Sequence, residues 1–358
     1  MKILTILGTR PEIIRLSVII RKLDELVDHV IVFTNQNYTH NLSTIFFDEL
    51  GIREPDYYFD NNEYTSIKFL SHAMIKFEQV LINEKPDKVL VLGDTNSGLL
   101  SIVANKMKIP IFHAESGNRS YDSRVPEETN RRLIDNLSLV NMPYTENSKQ
   151  NLIREGFDKN HVFKIGNPIY EVMEYFKYSI SDSKIMEMMG LESQNFILAT
   201  LHRAENVDDK LSLLNIVNAI NKISEEIRVV LPLHPHTNDK LSKFGITLSE
   251  NVAVCEPLGF LDFSKLERNA KLLISDSGSV PESGCINGIP SLIIRRSTER
   301  QELIECGSCI LTDSKTDIIL NAYRSSINSM RGWEIPEDYT RANVSNTVIN
   351  ILMGEYNI

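Results

Sequence analysis

Residues 113–135, HAESGNRSYDSRVPEETNRRLID, decide the fold. They follow Ile109-Pro110-Ile111-Phe112, an apolar run that reads as a buried strand. Glu115 then stands just past the carboxyl end of a strand, the edge at which open parallel sheets bind ligands. Pro126-Glu127-Glu128 reads as the first turn of a helix. Proline is pre-set for that position, and acids suit the positive end of the helix dipole. Glu127 is therefore expected back at the same edge as Glu115. Two carboxylates there, with Arg119, Arg124 and Arg131 close in sequence, suit acid/base chemistry on an anionic substrate. The plainer alternative is a capped helix with surface ion pairs.

Working toward the N-terminus, Lys88–Leu92 reads as a strand capped by Gly93-Asp94-Thr95, which places a third acid, Asp94, at a strand end. Residues 2–7, KILTIL, are a strand ending at Gly8, and Thr9-Arg10-Pro11-Glu12 opens a helix. A strand, a glycine turn and a helix N-terminus predict an anion site, which Arg10 and Arg15 would strengthen. The pattern is not GxGxxG, so it carries no dinucleotide fingerprint. Further strands are expected at 30–33, 139–142 and 162–165, with helices at 41–50, 65–83, 97–107 and 148–155. Residues 169–194 read as polar and helical, which puts a domain boundary near Asn167-Pro168.

A second alternating set follows. Strands are expected at 196–200, 228–233, 252–254, 271–275, 291–294 and 309–311. Helices lie at 211–227, 260–270 and through Cys285, and closing helices at 315–330 and 342–353. Repeated β-α units with acids and glycines at strand ends mean doubly wound parallel sheets. The fold class is α/β: two Rossmann-like domains, 1–168 and 169–358, facing across a cleft. This is the GT-B arrangement, used by many proteins that handle nucleotide sugars; the last helix is expected to return to the first domain. In the second domain Asp276-Ser277-Gly278-Ser279 joins a strand to a helix. Gly278 admits a close backbone approach, and the helix N-terminus offers N–H groups to a diphosphate. Glu282, one turn on, could accept from a ribose, and Arg300 could pair with a phosphate or with Glu282. His202-Arg203 also sits at a strand end, where a cationic imidazole suits a phosphate. His234-Pro235-His236 is an HxH, but with no matching set of carboxylates it is not read as a metal site.

The chain has 358 residues, 42% of them apolar and 24% charged, with a net charge of -10. These values suit two ordinary globular domains and exclude non-specific nucleic-acid binding and a basic membrane-surface mode. The N-terminal apolar run is too short for a signal peptide, and no run is long enough to span a bilayer, so a cytoplasmic protein is expected. Of the four cysteines, Cys306-Gly307-Ser308-Cys309 forms a CxxC. A zinc site would need a second such pair. Two small apolar residues flanking a turn into the strand at 309–311 is the simpler reading.

GTRPE at 8–12, GDT at 93–95, HAESGNR at 113–119, PEETNR at 126–131, HRAEN at 202–206, EPLGF at 256–260, DSGS at 276–279 and TER at 298–300 follow one another along the chain. In that order they resemble the non-hydrolysing UDP-N-acetylglucosamine 2-epimerases over nearly the whole length. The resemblance implies a homodimer with no cofactor and no metal. It implies inversion at carbon 2 of a UDP-2-acetamido sugar, for cell-surface polysaccharide precursors such as those of capsule or O-antigen. Residue by residue it implies catalytic roles for Asp94, Glu115, Glu127 and His202. Substrate and UDP binding would fall to Arg10, Arg15, Arg131, Phe263, Ser277, Gly278, Ser279, Glu282 and Arg300. The proton on carbon 2 has no neighbouring carbonyl, so direct deprotonation is too costly. Loss of UDP from carbon 1 gives a 2-acetamidoglucal, and re-addition with protonation on the other face completes the inversion. That route needs two acid/base groups and a cationic cradle for the diphosphate.

The chain departs from the family pattern at several points. Arg15 stands where a Lys is usual, and Ser283 where a second Glu, a ribose ligand, is usual. Asn118 is polar beside the catalytic acid, and Gln36-Asn37-Tyr38 replaces QHR of an activator site. RVPEE at 124–128 and EDYTRANVS at 337–345 look closer to a branch acting on modified UDP-sugars, 6-deoxy or 3-acetamido-uronate. A GT-B glycosyltransferase and a catalytically inactive nucleotide-sugar-binding protein are the competing readings. The first would release UDP only when an acceptor is present, and the second would bind UDP without turnover.

Overall fold

In a computed structural model, the structure describes residues 1–35, 40–59, 65–328 and 332–356. The chain forms two compact units, Met1–Tyr175 with Glu337–Ile358, and Phe176–Pro336. The first unit holds strands β1 (Lys2–Leu7), β2 (Asp28–Phe33), β3 (Tyr57–Tyr58), β4 (Lys88–Leu92), β5 (Ile111–Ala114) and β6 (Val140–Met142). Its helices are α1 (Arg10–Leu26), α2 (His40–Glu49), α3 (Ser66–Glu84), α4 (Ser101–Lys106), α5 (Pro126–Leu137), α6 (Glu146–Arg154) and α7 (Ile169–Tyr175). The second unit holds β7 (Phe196–Thr200), β8 (Arg228–Pro232), β9 (Val252–Cys255), β10 (Leu272–Ser275), β11 (Ser291–Ile294) and β12 (Cys309–Thr312). Its helices are α8 (Lys177–Asp182), α9 (Ile185–Met188), α10 (Ala204–Val207), α11 (Lys210–Ser224), α12 (Pro235–Phe244), α13 (Phe260–Asn269), α14 (Val280–Ile286), α15 (Gln301–Glu305) and α16 (Thr316–Asn328). The last helix, α17 (Val344–Met353), lies in the first unit.

Both sheets are parallel. The first runs β3-β2-β1-β4-β5-β6 and the second β12-β11-β10-β7-β8-β9, the same doubly wound order listed from opposite edges. Such an order reverses between the first and fourth strands of each sheet, that is, between β1 and β4 and between β7 and β10. The crevice outside the strand ends at such a point is where open α/β sheets bind ligands. Both faces of each sheet are covered, so the strands are apolar at nearly every position. On one face of the first sheet Leu4, Ile6, Val32, Val89 and Val91 pack with Phe69, Phe77 and Val80 of α3. Among the described residues no helix is long and apolar enough to cross a membrane.

The strands at 88–92, 196–200 and 291–294 have the bounds that their apolar runs indicated. Elsewhere the sequence misled. The strand expected at 109–112 lies at 111–114, past Pro110, which has no N–H to give; His113 is therefore inside the sheet. The strand expected at 162–165 is a single bridge from Val162 to Asn141. Phe163 and Ile165 donate their N–H groups to the carbonyls of Asn141 and Pro143, both at 2.9 Å, without a full ladder. The stretch after α2 contains β3, which pairs with β2. The helix expected at 97–107 begins as a 3₁₀ turn at Asn96–Leu100. His234-Pro235-His236, expected only as the end of the strand at 228–233, opens α12: His234 is the N-cap, and its Nδ1 accepts from the His236 N–H at 3.2 Å. The compact units divide after Tyr175 instead of at Pro168, because α7 packs on α1. Glu171 of α7 accepts from the Ser345 N–H and hydroxyl at 2.7 and 2.5 Å, which ties α17 to the same face.

Candidate active site

The β1–α1 turn is not an open anion site. Glu12 folds back and accepts the N–H groups of Gly8 and Thr9, the second at 2.7 Å, completing a capping box with Thr9. Its other oxygen accepts from the Thr95 hydroxyl at 2.6 Å, so one buried carboxylate closes the crevice between β1 and β4. Burial pushes Glu12 up to about 7, against the pull of Thr95, Gly8 and Thr9. Gly8 cannot carry a side chain, since a Cβ there would lie 1.9 Å from Ser97 Oγ. Arg10, beside this turn, has no hydrogen bond or ion pair among the described residues; its guanidinium lies 5.9 Å over the Phe46 ring. Desolvation lowers its pKa with no anion to offset it.

Asp94 follows β4 and Glu115 follows β5, so the two acids leave neighbouring strands at the same end. Asp94 is gripped by Arg131 of α5, through Nε at 3.0 Å and Nη2 at 2.7 Å. Glu115 is buried and bound by the Arg15 guanidinium, which also lies 5.8 Å over the Tyr144 ring. Its other oxygen is 3.4 Å from Asn118 Nδ2, and Asn118 Oδ1 accepts from Ser148 at 2.7 Å. Glu115 has φ +67, a left-handed conformation rare for a side chain of this size and a recurrent mark of functional sites. Gly117, two residues on, has φ +76, and a Cβ there would lie 2.2 Å from the Ser148 carbonyl oxygen.

The first turn of α5 carries two acids with different fates. Glu128 is buried and accepts from Arg131 at 3.0 Å and from the Ser120 N–H and hydroxyl, both at 3.0 Å. Glu127 is half-buried and has no partner among the described residues. Arg10, Arg15, Asp94, Glu115, Glu127 and Arg131 are thus all at the carboxyl end of the first sheet. Of the cations named from sequence, Arg15 and Arg131 are engaged with Glu115 and Asp94.

The second unit repeats the design. Asp276, fully buried at the end of β10, accepts the N–H groups of His202 and Arg203, at 3.1 and 2.9 Å, in the loop after β7. His202 Nδ1 lies 3.4 Å from Asp276 Oδ1, its ring centroid is 6.3 Å from that of His234, and its side chain is 34% exposed. Ser277 and Ser279 hydroxyls are 3.0 Å apart across Gly278. Arg300 donates to Glu282 at 2.7 Å and to Glu299 at 2.7 Å, and Glu299 also binds Arg295 at 2.9 Å. Glu282 is therefore part of a buried chain of alternating charges. Ser283 turns inward and donates to Glu267 of α13 at 2.7 Å. Phe263, on α13, packs against the apolar cluster beneath.

Three residues quoted within the motifs make contacts for which the sequence reading gave them no role. Glu12 was visible as the fourth residue of a Thr-x-x-Glu capping box, and Asp276 as an acid directly after an apolar run. His113 gave no such signal, because the strand expected at 109–112 left it in the following loop. The four cysteines are free thiols, with Cys285 and Cys306 Sγ atoms 3.9 Å apart. Among the described residues no group of His, Cys, Asp or Glu side chains is arranged to hold a metal. The activator reading at Gln36-Asn37-Tyr38 lies outside the described residues.

Residues 21–353 match the family profile described as UDP-N-acetylglucosamine 2-epimerase. The UDP-N-acetylglucosamine 2-epimerase of Methanocaldococcus jannaschii is 39% identical, over 94% of this chain and 95% of its own. The UDP-2,3-diacetamido-2,3-dideoxy-D-glucuronate 2-epimerase of Pseudomonas aeruginosa is 38% identical, over 91% of this chain and 92% of its own. Among solved structures, the M. jannaschii UDP-GlcNAc 2-epimerase in complex with UDP-GlcNAc and UDP superposes with a TM-score of 0.93 at 38% identity, covering 98% of this chain and 99% of that one. The chain belongs to the UDP-N-acetylglucosamine 2-epimerase family of isomerases.

Proposed function

We propose that the protein inverts carbon 2 of a UDP-2-acetamido sugar, with UDP-GlcNAc as the first substrate to try. The observation that carries this reading is the pairing of Asp94 and Glu115 at the ends of adjacent strands, each bound by its own arginine. One carboxylate takes the carbon-2 proton as the bond from carbon 1 to the UDP oxygen breaks. The other delivers a proton to the opposite face as UDP returns to carbon 1. Glu127, in the first turn of α5 and without a partner among the described residues, is a third group able to exchange protons. The departing diphosphate carries negative charge, which Arg10, with no ion pair among the described residues, is suited to meet. In the second unit the exposed ring of His202 and the Ser277-Gly278-Ser279 turn, beside Arg300, suit the nucleotide diphosphate.

Incubation with UDP-GlcNAc in deuterated water tests this. Deuterium is expected at carbon 2 of both epimers, and Glu115→Gln is expected to abolish its entry. Sugars modified at carbons 3 and 6 belong in the same panel, since a relative named for a diacetamido-uronate is 38% identical, against 39% for one named for UDP-GlcNAc. No label in any of them would reject the proposal. The reading also takes the protein to be a cytoplasmic homodimer that supplies a polysaccharide precursor. The outer face of α3 exposes Ile67 at 75% and Ile75 at 67%, a surface a second copy would cover. Light scattering of wild type and Ile75→Lys measures whether the dimer exists and whether that face makes it.

A further inference from the structure

We propose that His113 is a positioning residue that fixes Asp94 and Glu115 relative to one another, acting through the Gly93–Asp94 peptide. The proposal rests on the reading of those two carboxyls as the acid/base pair. His113 lies in β5, two residues before Glu115, and is fully buried. Its Nε2 is 2.8 Å from the carbonyl oxygen of Gly93, which belongs to the peptide bond leading into Asp94. A carbonyl oxygen only accepts, so Nε2 carries the hydrogen. Its Nδ1 is 2.8 Å from Asp135 Oδ1 of α5.

Asp135 is itself immobilised. Its Oδ2 lies 2.8 Å from Arg119 Nη2, and the Gly117 N–H reaches its two oxygens at 3.3 and 3.4 Å. Arg119 is held in turn by both oxygens of Glu155, at 2.9 and 2.6 Å, and donates to the Asn118 carbonyl at 2.7 Å. One imidazole therefore couples three segments: the turn that carries Asp94, the loop that carries Glu115, and α5, whose Arg131 grips Asp94. The left-handed backbone at Glu115 persists only where its surroundings over-determine it. The bonds from Gly117 to Asp135 and from the Glu115 N–H to the Met142 carbonyl at 3.1 Å supply that constraint.

The chemistry makes the spacing matter. In the forward half, the carbon-1 oxygen bond breaks with its electron pair leaving on UDP, and the carbon-2 proton passes to one carboxylate. In the return half, UDP oxygen re-forms that bond and the second carboxyl protonates the other face. A displaced second acid spares the first half and impairs the return. With His113→Gln and Asp135→Asn, the share of turnovers that release free 2-acetamidoglucal and UDP is expected to rise. Epimer formation is expected to fall about 100-fold, the scale of an ångström-sized misplacement, with KM for the UDP-sugar unchanged. A merely structural role would lower every rate by one factor and leave the partition as in wild type, which would overturn the proposal.

Because a buried histidine is hard to replace, a second measurement uses the native protein. Nitrogen NMR of histidine-labelled wild type should show Nε2 of His113 protonated and protected from exchange. An Nε2 without hydrogen would break the link to Gly93 and overturn the proposal even if the epimerase is active. A wild type that places no deuterium at carbon 2 of any UDP-sugar sinks the epimerase reading, and takes this proposal with it whatever the state of His113.

Discussion

Glu12 and Thr95, 83 residues apart in sequence, meet at 2.6 Å across the crevice between β1 and β4. Asp276 does the equivalent in the second unit, reaching the Arg203 N–H at 2.9 Å across the crevice between β7 and β10. At each switch point two loop N–H groups are taken by a carboxylate of the protein, those of Gly8 and Thr9 by Glu12 and those of His202 and Arg203 by Asp276. Glu12→Ala strips partners from the buried Gly8 N–H and the part-buried Thr9 N–H, and is expected to cost about 2–4 kcal/mol of stability. Glu12→Gln keeps an acceptor and should retain most of it. Urea denaturation of the two variants measures the difference.

Glu267 gives a pH dependence with a definite sign. Burial pushes its carboxyl up to about 8, with the Ser283 hydroxyl as its hydrogen-bond partner. In the unfolded chain the same group titrates near 4.5. Folding therefore takes up a proton between these values, so stability present below about 4.5 declines as pH rises through the window and levels off above about 8. Glu267→Gln keeps the acceptor for Ser283 and removes the titration. It should match wild type near pH 4.5 and exceed it by about 2–4 kcal/mol at pH 8.5. Melting curves across that range decide it; parallel curves for the two proteins would refute the assignment.

Arg300 sits between Glu282 and Glu299, all three buried. Removing it leaves two acids without their shared cation, so Arg300→Ala is expected to lose about 3–5 kcal/mol. The double change Arg300→Met with Glu282→Gln removes that pair together, leaves Glu299 on Arg295, and should recover much of that loss. A double-mutant cycle between Arg300 and Glu282 by chemical denaturation should show strong coupling. Additive losses would mean that the chain of charges is not acting as one unit.

What the sequence made legible, and what it hid, follow from one physical distinction. Apolar runs such as 88–92 and 196–200 report burial on both sheet faces, and the acids and glycines that end them report ligand-facing edges; both are local signals. Partnership is not local. Arg15 and Glu115 are 100 residues apart, and nothing in either neighbourhood announces that the arginine is spent on the acid rather than on a phosphate. Glu127 and Glu128 are adjacent letters, yet the helix turns one inward to Arg131 and leaves the other without a partner among the described residues. His113 was hidden for a further reason: Pro110 delays β5 by two residues, which moves the histidine from a loop into the sheet.

Arg131 has two anions to hold, Asp94 and Glu128, and meets Asp94 through two nitrogens. A lysine offers one charge without the planar fork, so Arg131→Lys should keep the fold but loosen Asp94. We expect kcat to fall about 10- to 100-fold from misplacement of the acid, with KM little changed. Wild-type kcat in Arg131→Lys, measured by deuterium entry at carbon 2, would show that the grip on Asp94 is dispensable.

Arg10 behaves in the opposite way, because it holds no anion among the described residues. Its guanidinium is desolvated, with no ion pair among the described residues to offset that cost. A cation kept under those terms is strained in the free protein and relieved when a ligand supplies the charge. Arg10→Met should therefore leave the fold at least as stable as wild type, within about 0.5 kcal/mol or above it. The same change should weaken UDP by about 1.5–3 kcal/mol, the worth of a hydrogen bond to a charged group. Calorimetric titration with UDP and a melting curve, run on the same preparation, read both effects. A variant that melts several degrees lower while binding UDP as tightly as wild type would place Arg10 among the structural cations and remove it from the diphosphate site.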